Sequence, residues 1–219
     1  MKKYILKCTT AICVCLGTMG TASADIIYSF SASGTGDNVL FTSGQTGATI
    51  VGTTQQSNTN IVFAGNETLA TQASGQARIT GSADQNLDFV DISLQAANTG
   101  FTSLVFDLNG LPRQTGSATI TAFDQFGNSF VGTITSLSPG QNFVTVLASN
   151  GQLITDVQIS TTASFGDIEQ VRLGGAQAVP GPVVASGLPG LLAACGALVI
   201  LARRRRSAIP LHRTPFPSR

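Results

Sequence analysis

Between Asp25 and Ala178 no apolar run keeps a helical spacing; apolar and polar residues alternate over short stretches that end at Gly, Asn, Ser and Pro clusters. Side chains two apart share one face of a strand, whereas a helix needs a 3.6-residue repeat, so the pattern restricts this region to β structure. The clearest case is Ala118, Ile120 and Ala122, with Thr119 and Thr121 between them. After Asp124-Gln125-Phe126-Gly127-Asn128 the alternation resumes at Phe130, Gly132 and Ile134, which predicts a hairpin. Further strands are predicted at Gln76 to Thr80, Phe89 to Gln95, Ser103 to Leu108, Asn142 to Ala148, Leu153 to Ser160 and Ile168 to Leu173. Earlier candidates are Ile26 to Phe30, Asn38 to Phe41, Ala48 to Val51 and Asn60 to Phe63. Many short strands without a fixed-length repeat favour an all-β, antiparallel, jelly-roll-like β-sandwich over a β-helix.

Charge divides the chain of 219 residues into a middle and two ends. All 11 carboxylates lie between residues 25 and 178, where the basic residues are Arg78, Arg113 and Arg172, a net of −8. The remaining basic residues are Lys2, Lys3, Lys7, Arg203, Arg204, Arg205, Arg206, Arg213 and Arg219. Nucleic-acid binding needs clustered Lys and Arg, and an acidic domain repels phosphate, so that class is set aside. Cys8, Cys13, Cys15 and Cys195 all fall outside 25–178, which leaves the domain neither a disulfide framework nor a thiolate zinc site.

Residues 1–24 read as a secretory signal peptide: a lysine-rich start, an apolar stretch from Cys8 to Met19, and Ala22-Ser23-Ala24 in the small-residue cleavage pattern. Cleavage after Ala24 makes Asp25 the mature N-terminus. At the other end Val179-Pro180-Gly181-Pro182 is stiff and extended, because proline fixes φ and disfavours helix in the residue before it. Val183 to Ala202 then carries no charge over 20 residues, the length of a helix that crosses a bilayer core of roughly 30 Å. Arg203, Arg204, Arg205 and Arg206 follow as a stop-transfer cluster, which the positive-inside rule keeps in the cytoplasm, and 207–219 form a tail expected to be disordered. The expected organisation is thus 1–24 signal helix, 25–178 β-sandwich, 179–206 sorting and transmembrane segment, and 207–219 tail.

This tripartite C-terminus resembles the PEP-CTERM protein-sorting family, also labelled the ice-binding protein C-terminal domain. The residues that carry the likeness are Val179 to Pro182, Gly187-Leu188-Pro189-Gly190-Leu191-Leu192, and the four arginines. Gly181 stands where the family usually has glutamate, making this a Pro-Gly-Pro variant, and members usually end at the arginine cluster rather than 13 residues beyond it. The resemblance implies an exosortase as processing partner, a membrane-held precursor, and delivery to the cell surface or an exopolysaccharide matrix. A plain single-span anchor without processing fits the same span. The stretch from Gly140 to Gly175 resembles domains joined to such tails, most of which have no assigned activity.

Chemistry in the domain is bounded by what it lacks. The sole histidine, His212, lies in the tail, and 25–178 contains no Lys or Cys, so nucleophile–base pairs of the Ser-His, Cys-His and Ser-Lys kinds cannot be built there. Carboxylate pairs drawn from Asp88, Asp91, Asp107, Asp124, Asp156, Asp167 and Glu169 could serve glycoside hydrolysis, yet such residues are commonly solvated turn and strand positions. No catalytic residues are assigned. Asp84-Gln85-Asn86-Leu87-Asp88 has alternating oxygen ligands like the start of a calcium loop, but Phe89 and Gln95 stand where an EF-hand needs glycine and glutamate. A sandwich loop can still bind Ca²⁺ in another geometry, the one cofactor the sequence leaves open. For exopolysaccharide the domain offers no Trp and only Tyr28, while Phe106, Phe123, Phe130 and Phe143 are expected in the core. The expected role is structural or adhesive, with weak carbohydrate binding as the alternative.

Overall fold

The computed structural model describes residues 25–31, 35–72 and 78–180. The signal segment with Ala22 and Ala24, most of the C-terminal segment including Gly181, Pro182 and Arg203 to Arg206, and the tail lie outside the described residues. No helix occurs among the described residues, and every named strand pair is antiparallel.

The strands are β1 (Ile26–Ser29), β2 (Asp37–Leu40), β3 (Thr46–Thr54), β4 (Asn60–Thr71), β5 (Ile79–Gly81), β6 (Leu87–Leu94) and β7 (Thr99–Gly100). They continue as β8 (Ser103–Gly110), β9 (Gly116–Asp124), β10 (Ser129–Leu137), β11 (Phe143–Ala148), β12 (Ile154–Gly174) and β13 (Gln177–Ala178). The predicted hairpin is β9–β10, in the register Ala118↔Ile134, Ile120↔Gly132 and Ala122↔Phe130. Its turn closes because Asp124 accepts the backbone N–H groups of Phe126 at 2.9 Å and Asn128 at 2.8 Å, while Gly127 takes φ +82°.

β12 departs from expectation, since Leu153 to Ser160 and Ile168 to Leu173 belong to one bent strand of 21 residues. Its first half runs between β9 and β6, and its second half pairs with β8 on one side and β2 on the other. A register shift between Ser160 and Phe165 makes the bend, so one strand serves two layers, as strands do at the corners of packed sheets. β4 behaves likewise: its start pairs with β6 and its end with β5.

One layer therefore runs β10-β9-β12-β6-β4-β3, and the other runs β1-β11-β8-β12-β2. Between them lies one core in which Phe63, Phe101, Phe106, Phe165, Ile120, Val157 and Ile159 are fully buried. Tyr28 of β1 crosses this core, donating its hydroxyl to the Phe130 carbonyl at 2.7 Å and accepting the Ala122 N–H at 3.1 Å. Burial raises the Tyr28 pKa, against the lowering effect of the Ala122 N–H. Gly132 makes room for that ring, because a Cβ there would lie 2.6 Å from Tyr28 Cγ. Core and ladder lie within one compact unit that ends at Val179, and every core residue falls between Ile26 and Leu173, so a 25–180 segment keeps the whole core.

Candidate functional site

The outward face of the first layer follows from strand parity. In β9, β12 and β6 the buried positions are Ala118, Ile120, Ala122; Val157, Ile159; and Val90, Ile92, so the residues between them face away from the core. The register then sets Phe123, Asp156 and Ser93 in one row, and Thr121, Gln158 and Asp91 in the next. Val62 and Ala64 extend these rows onto β4. Phe89, Ser160 and Thr119 form a third row.

At the centre of this face two carboxyl groups meet. Asp156 is hydrogen-bonded to Asp91, and burial first, then that bond and the negative charge of Asp91, push the Asp156 pKa up to about 7. Gln158 donates Nε2 to Asp91 Oδ2 at 3.4 Å, while Asp156 Oδ1 is buried and makes no protein hydrogen bond. Two carboxyl groups in direct contact leave no room for a glycosidic bond between them, which hydrolysis requires at roughly 5 to 9.5 Å. The arrangement is suited to holding hydroxyl groups. Phe123, expected in the core, is half-buried on this face together with Phe89, and Phe143 is half-buried on the opposite layer. Phe106 and Phe130 do pack into or against the core.

Beside the same face lies a cleft of about 440 Å³ where β6, β7 and β13 converge, walled by Asn58, Asn60, Leu94, Gln95, Thr99 and Gln177. By alternation Asn60 shares the face of Val62, and Thr53, Asn60 and Gln95 are linked by side-chain hydrogen bonds of 2.9 and 2.8 Å. No lining residue is charged. The volume falls in the range of small-molecule sites, and amide and hydroxyl groups offer both donors and acceptors.

The other predicted carboxylates are placed differently. Asp124 is buried and fully engaged, its Oδ2 also accepting Asn128 Nδ2 at 2.8 Å and Gln152 Nε2 at 3.0 Å. Asp107 is buried to 0% exposure opposite Glu169; its Oδ1 accepts the Asn142 N–H at 2.6 Å and its Oδ2 has no partner. Burial, followed by Glu169 and Asp167 and opposed by the Asn142 bond, raises Asp107 to about 6. Burial also raises Asp167, against Asn109 and the Arg78 guanidinium 3.4 Å away. Asp88 is exposed.

In the expected calcium loop both Asp84 oxygens accept bonds from Asn86, at 3.0 and 3.3 Å, so they shape the turn. Among the described residues no group of three His, Cys, Asp or Glu is placed to hold a metal ion. Of the routing residues, Asp25 is exposed, and its carbonyl accepts the Ser149 N–H at 3.1 Å. Val179 donates its N–H to the Asn98 carbonyl at 2.8 Å, and Pro180 is exposed.

No family model and no curated protein matches the chain. Solved structures give faint likenesses. A family 29 carbohydrate-binding module is 15% identical with TM-score 0.23, over 71% of this chain and 89% of that one. A mutant of such a module in complex with cellulohexaose is 15% identical with TM-score 0.23, over 70% and 92%. The enzymatically active domain of a tailspike protein from bacteriophage CBA120 is 14% identical with TM-score 0.25, over 71% of this chain and 20% of that one. At these values the likeness stops at β architecture, and nothing about a ligand follows from it.

Proposed function

We propose that this protein is exported, held at the cell surface or in an extracellular matrix, and binds polysaccharide there through the amide-lined cleft and the adjoining sheet face. The observation that carries the binding half is the uncharged cleft of about 440 Å³ beside a face where Gln158, Ser93, Thr121, Asp91 and Asp156 stand between Phe89 and Phe123. Hydroxyl-rich chains need converging donors and acceptors with an apolar platform for the ring face, and phenylalanine supplies a weaker platform than Trp or Tyr. Affinity on the order of 0.1–1 mM per site, about −4 to −5.5 kcal/mol, is the expected scale. The domain carries net −8, which favours neutral over uronate-rich polymers.

The routing half rests on the sequence: the Ala22-Ser23-Ala24 pattern, the PEP-CTERM-like order of Val179 to Pro182, an uncharged span, and four arginines. The ladder beginning at Ile26 and ending at Ala178 supports domain limits at those junctions. Within this reading the fold belongs to the jelly-roll-like class of sandwich, and the role is adhesive rather than catalytic.

Both halves are testable in the native host. Mass spectrometry of terminal peptides is expected to show a start at Asp25 and loss of everything beyond roughly Pro182 in the released form. An intact C-terminus through Arg219 in the membrane fraction contradicts sorting and leaves an anchored protein. Retention of the 25–180 domain on immobilised neutral exopolysaccharide, lost in Asn60→Ala with Gln158→Ala, supports binding; no retention of the parent domain removes it.

A further inference from the structure

The first layer ends at β10, which pairs with β9 on one side and meets no strand on the other among the described residues. Its open edge is unusually inviting. Natural edge strands are blunted by charge, proline or brevity, yet β10 has nine residues, Ser-Phe-Val-Gly-Thr-Ile-Thr-Ser-Leu, with neither charge nor proline. From Gln125 to Thr155 the chain carries no Asp, Glu, Lys or Arg, although the domain as a whole is strongly acidic.

The backbone is oriented for pairing. The Ala122 N–H and Phe130 carbonyl converge on the Tyr28 hydroxyl, and Asp124 donates its N–H to the Asn128 carbonyl. Phe130, Gly132 and Ile134 therefore turn their peptide groups toward β9. By alternation Ser129, Val131 and Thr133 turn theirs toward the open edge.

Side chains mark the same flank. The exposed large hydrophobic residues among the described ones are Ile27, Phe30, Leu147, Val131 and Phe126. They lie on or just after β1, on its neighbour β11, on β10, or in the turn leading into β10. The Tyr28 bridge places β1 over the β9–β10 pair; Ile27 and Leu147 face away from the core on the layer of β1, and on the layer that ends at β10 Val131 is 62% and Phe126 74% exposed.

We infer that β10 pairs antiparallel with β10 of a second copy of this chain, about a two-fold axis through Gly132. That register sets Val131 opposite Thr133 of the second copy, both with peptide groups facing the junction, and uses the β10 edge of each copy, so assembly through this edge closes at the dimer. An uncharged edge lets a net −8 domain approach its own copy without direct like-charge contact. A two-fold normal to the sheet keeps the outward faces on the same side, joining the two polar faces into one longer surface. The pairing does not depend on polysaccharide binding.

Light scattering on the 25–180 domain tests it, since that unit contains its own core. The expected result is twice the monomer mass at about 100 µM protein, with tighter association at higher salt as like charge is screened. Thr133→Pro removes an N–H that faces the junction and not β9, so the variant is expected to keep its circular dichroism and become monomeric. Should that variant misfold, Val131→Glu sets a carboxylate at the junction and is expected to weaken the dimer at least ~10-fold. A monomeric parent domain in high salt, a dimer untouched by Val131→Glu, or an open-ended series of oligomers would each overturn the inference.

Discussion

Replacing Asp156 by Asn probes the centre of the polar face. Its carboxyl holds a proton up to about 7, against an ordinary value of 3.8, because burial and the neighbouring Asp91 disfavour the charged form. The native state therefore binds this proton more tightly than the unfolded chain does. Below about pH 4 both states are protonated and the group changes nothing. As pH rises from 4 to 7 the unfolded chain ionises first, so native stability falls, and the full cost stands above pH 7. At 1.36 kcal/mol per pKa unit the gap between 3.8 and 7 sets an upper bound of ~4 kcal/mol. Solvent access to this half-buried pair cuts the effective cost to on the order of 1–2 kcal/mol. Asn keeps the shape, cannot ionise, and can donate to Asp91. The variant is thus expected to melt about 3–6 °C higher than the parent domain at pH 8, with the difference vanishing near pH 3.5. Differential scanning calorimetry across that range reads it directly. A variant less stable at pH 8, or one shifted equally at every pH, refutes the assignment of a raised pKa to Asp156.

Asp107→Asn follows the same logic with a lower window. The pH dependence it removes should lie between about 4 and 6, with a gain on the order of 1–2 kcal/mol at pH 8 in denaturant titrations. Tyr28→Phe deletes the hydroxyl that ties β1 across the core to Ala122 and Phe130 of the other layer and should cost about 1–2 kcal/mol, with little pH dependence below 9. Asp124→Ala strips four acceptor contacts from the β9–β10 turn and leaves Gln152 less satisfied, so a loss of about 3 kcal/mol is expected in urea unfolding.

What the sequence made legible was the hairpin, because Ala118, Ile120 and Ala122 alternate without interruption into a turn with Asp124 and Gly127. β12 reads as two strands because Thr161-Thr162-Ala163-Ser164 breaks the alternation, and only the partner strands show that a register shift absorbs the irregularity. β4 outran its predicted Asn60 to Phe63 for a related reason: Gly65-Asn66-Glu67 interrupts the pattern within one 12-residue strand. Phe123 was misplaced although the signal was present, since an inward Ala122 puts its neighbour outside. The meeting of Asp91 with Asp156 depends on the β6–β12 register, which no local pattern encodes. The cleft is likewise built by β7 and β13, two-residue strands too short to leave a periodicity.

The most direct test of polysaccharide binding at this face is residue-level mapping by NMR: amide and side-chain shifts of the isotope-labelled 25–180 domain during titration with neutral exopolysaccharide fragments. The account predicts saturable shifts confined to Asn60, Gln95, Thr99, Gln177, Asp91, Phe123 and Gln158, with affinity on the order of 0.1–1 mM. Shifts on the opposite layer around Asp107 and Phe143, or no saturable shifts with any fragment, would contradict it.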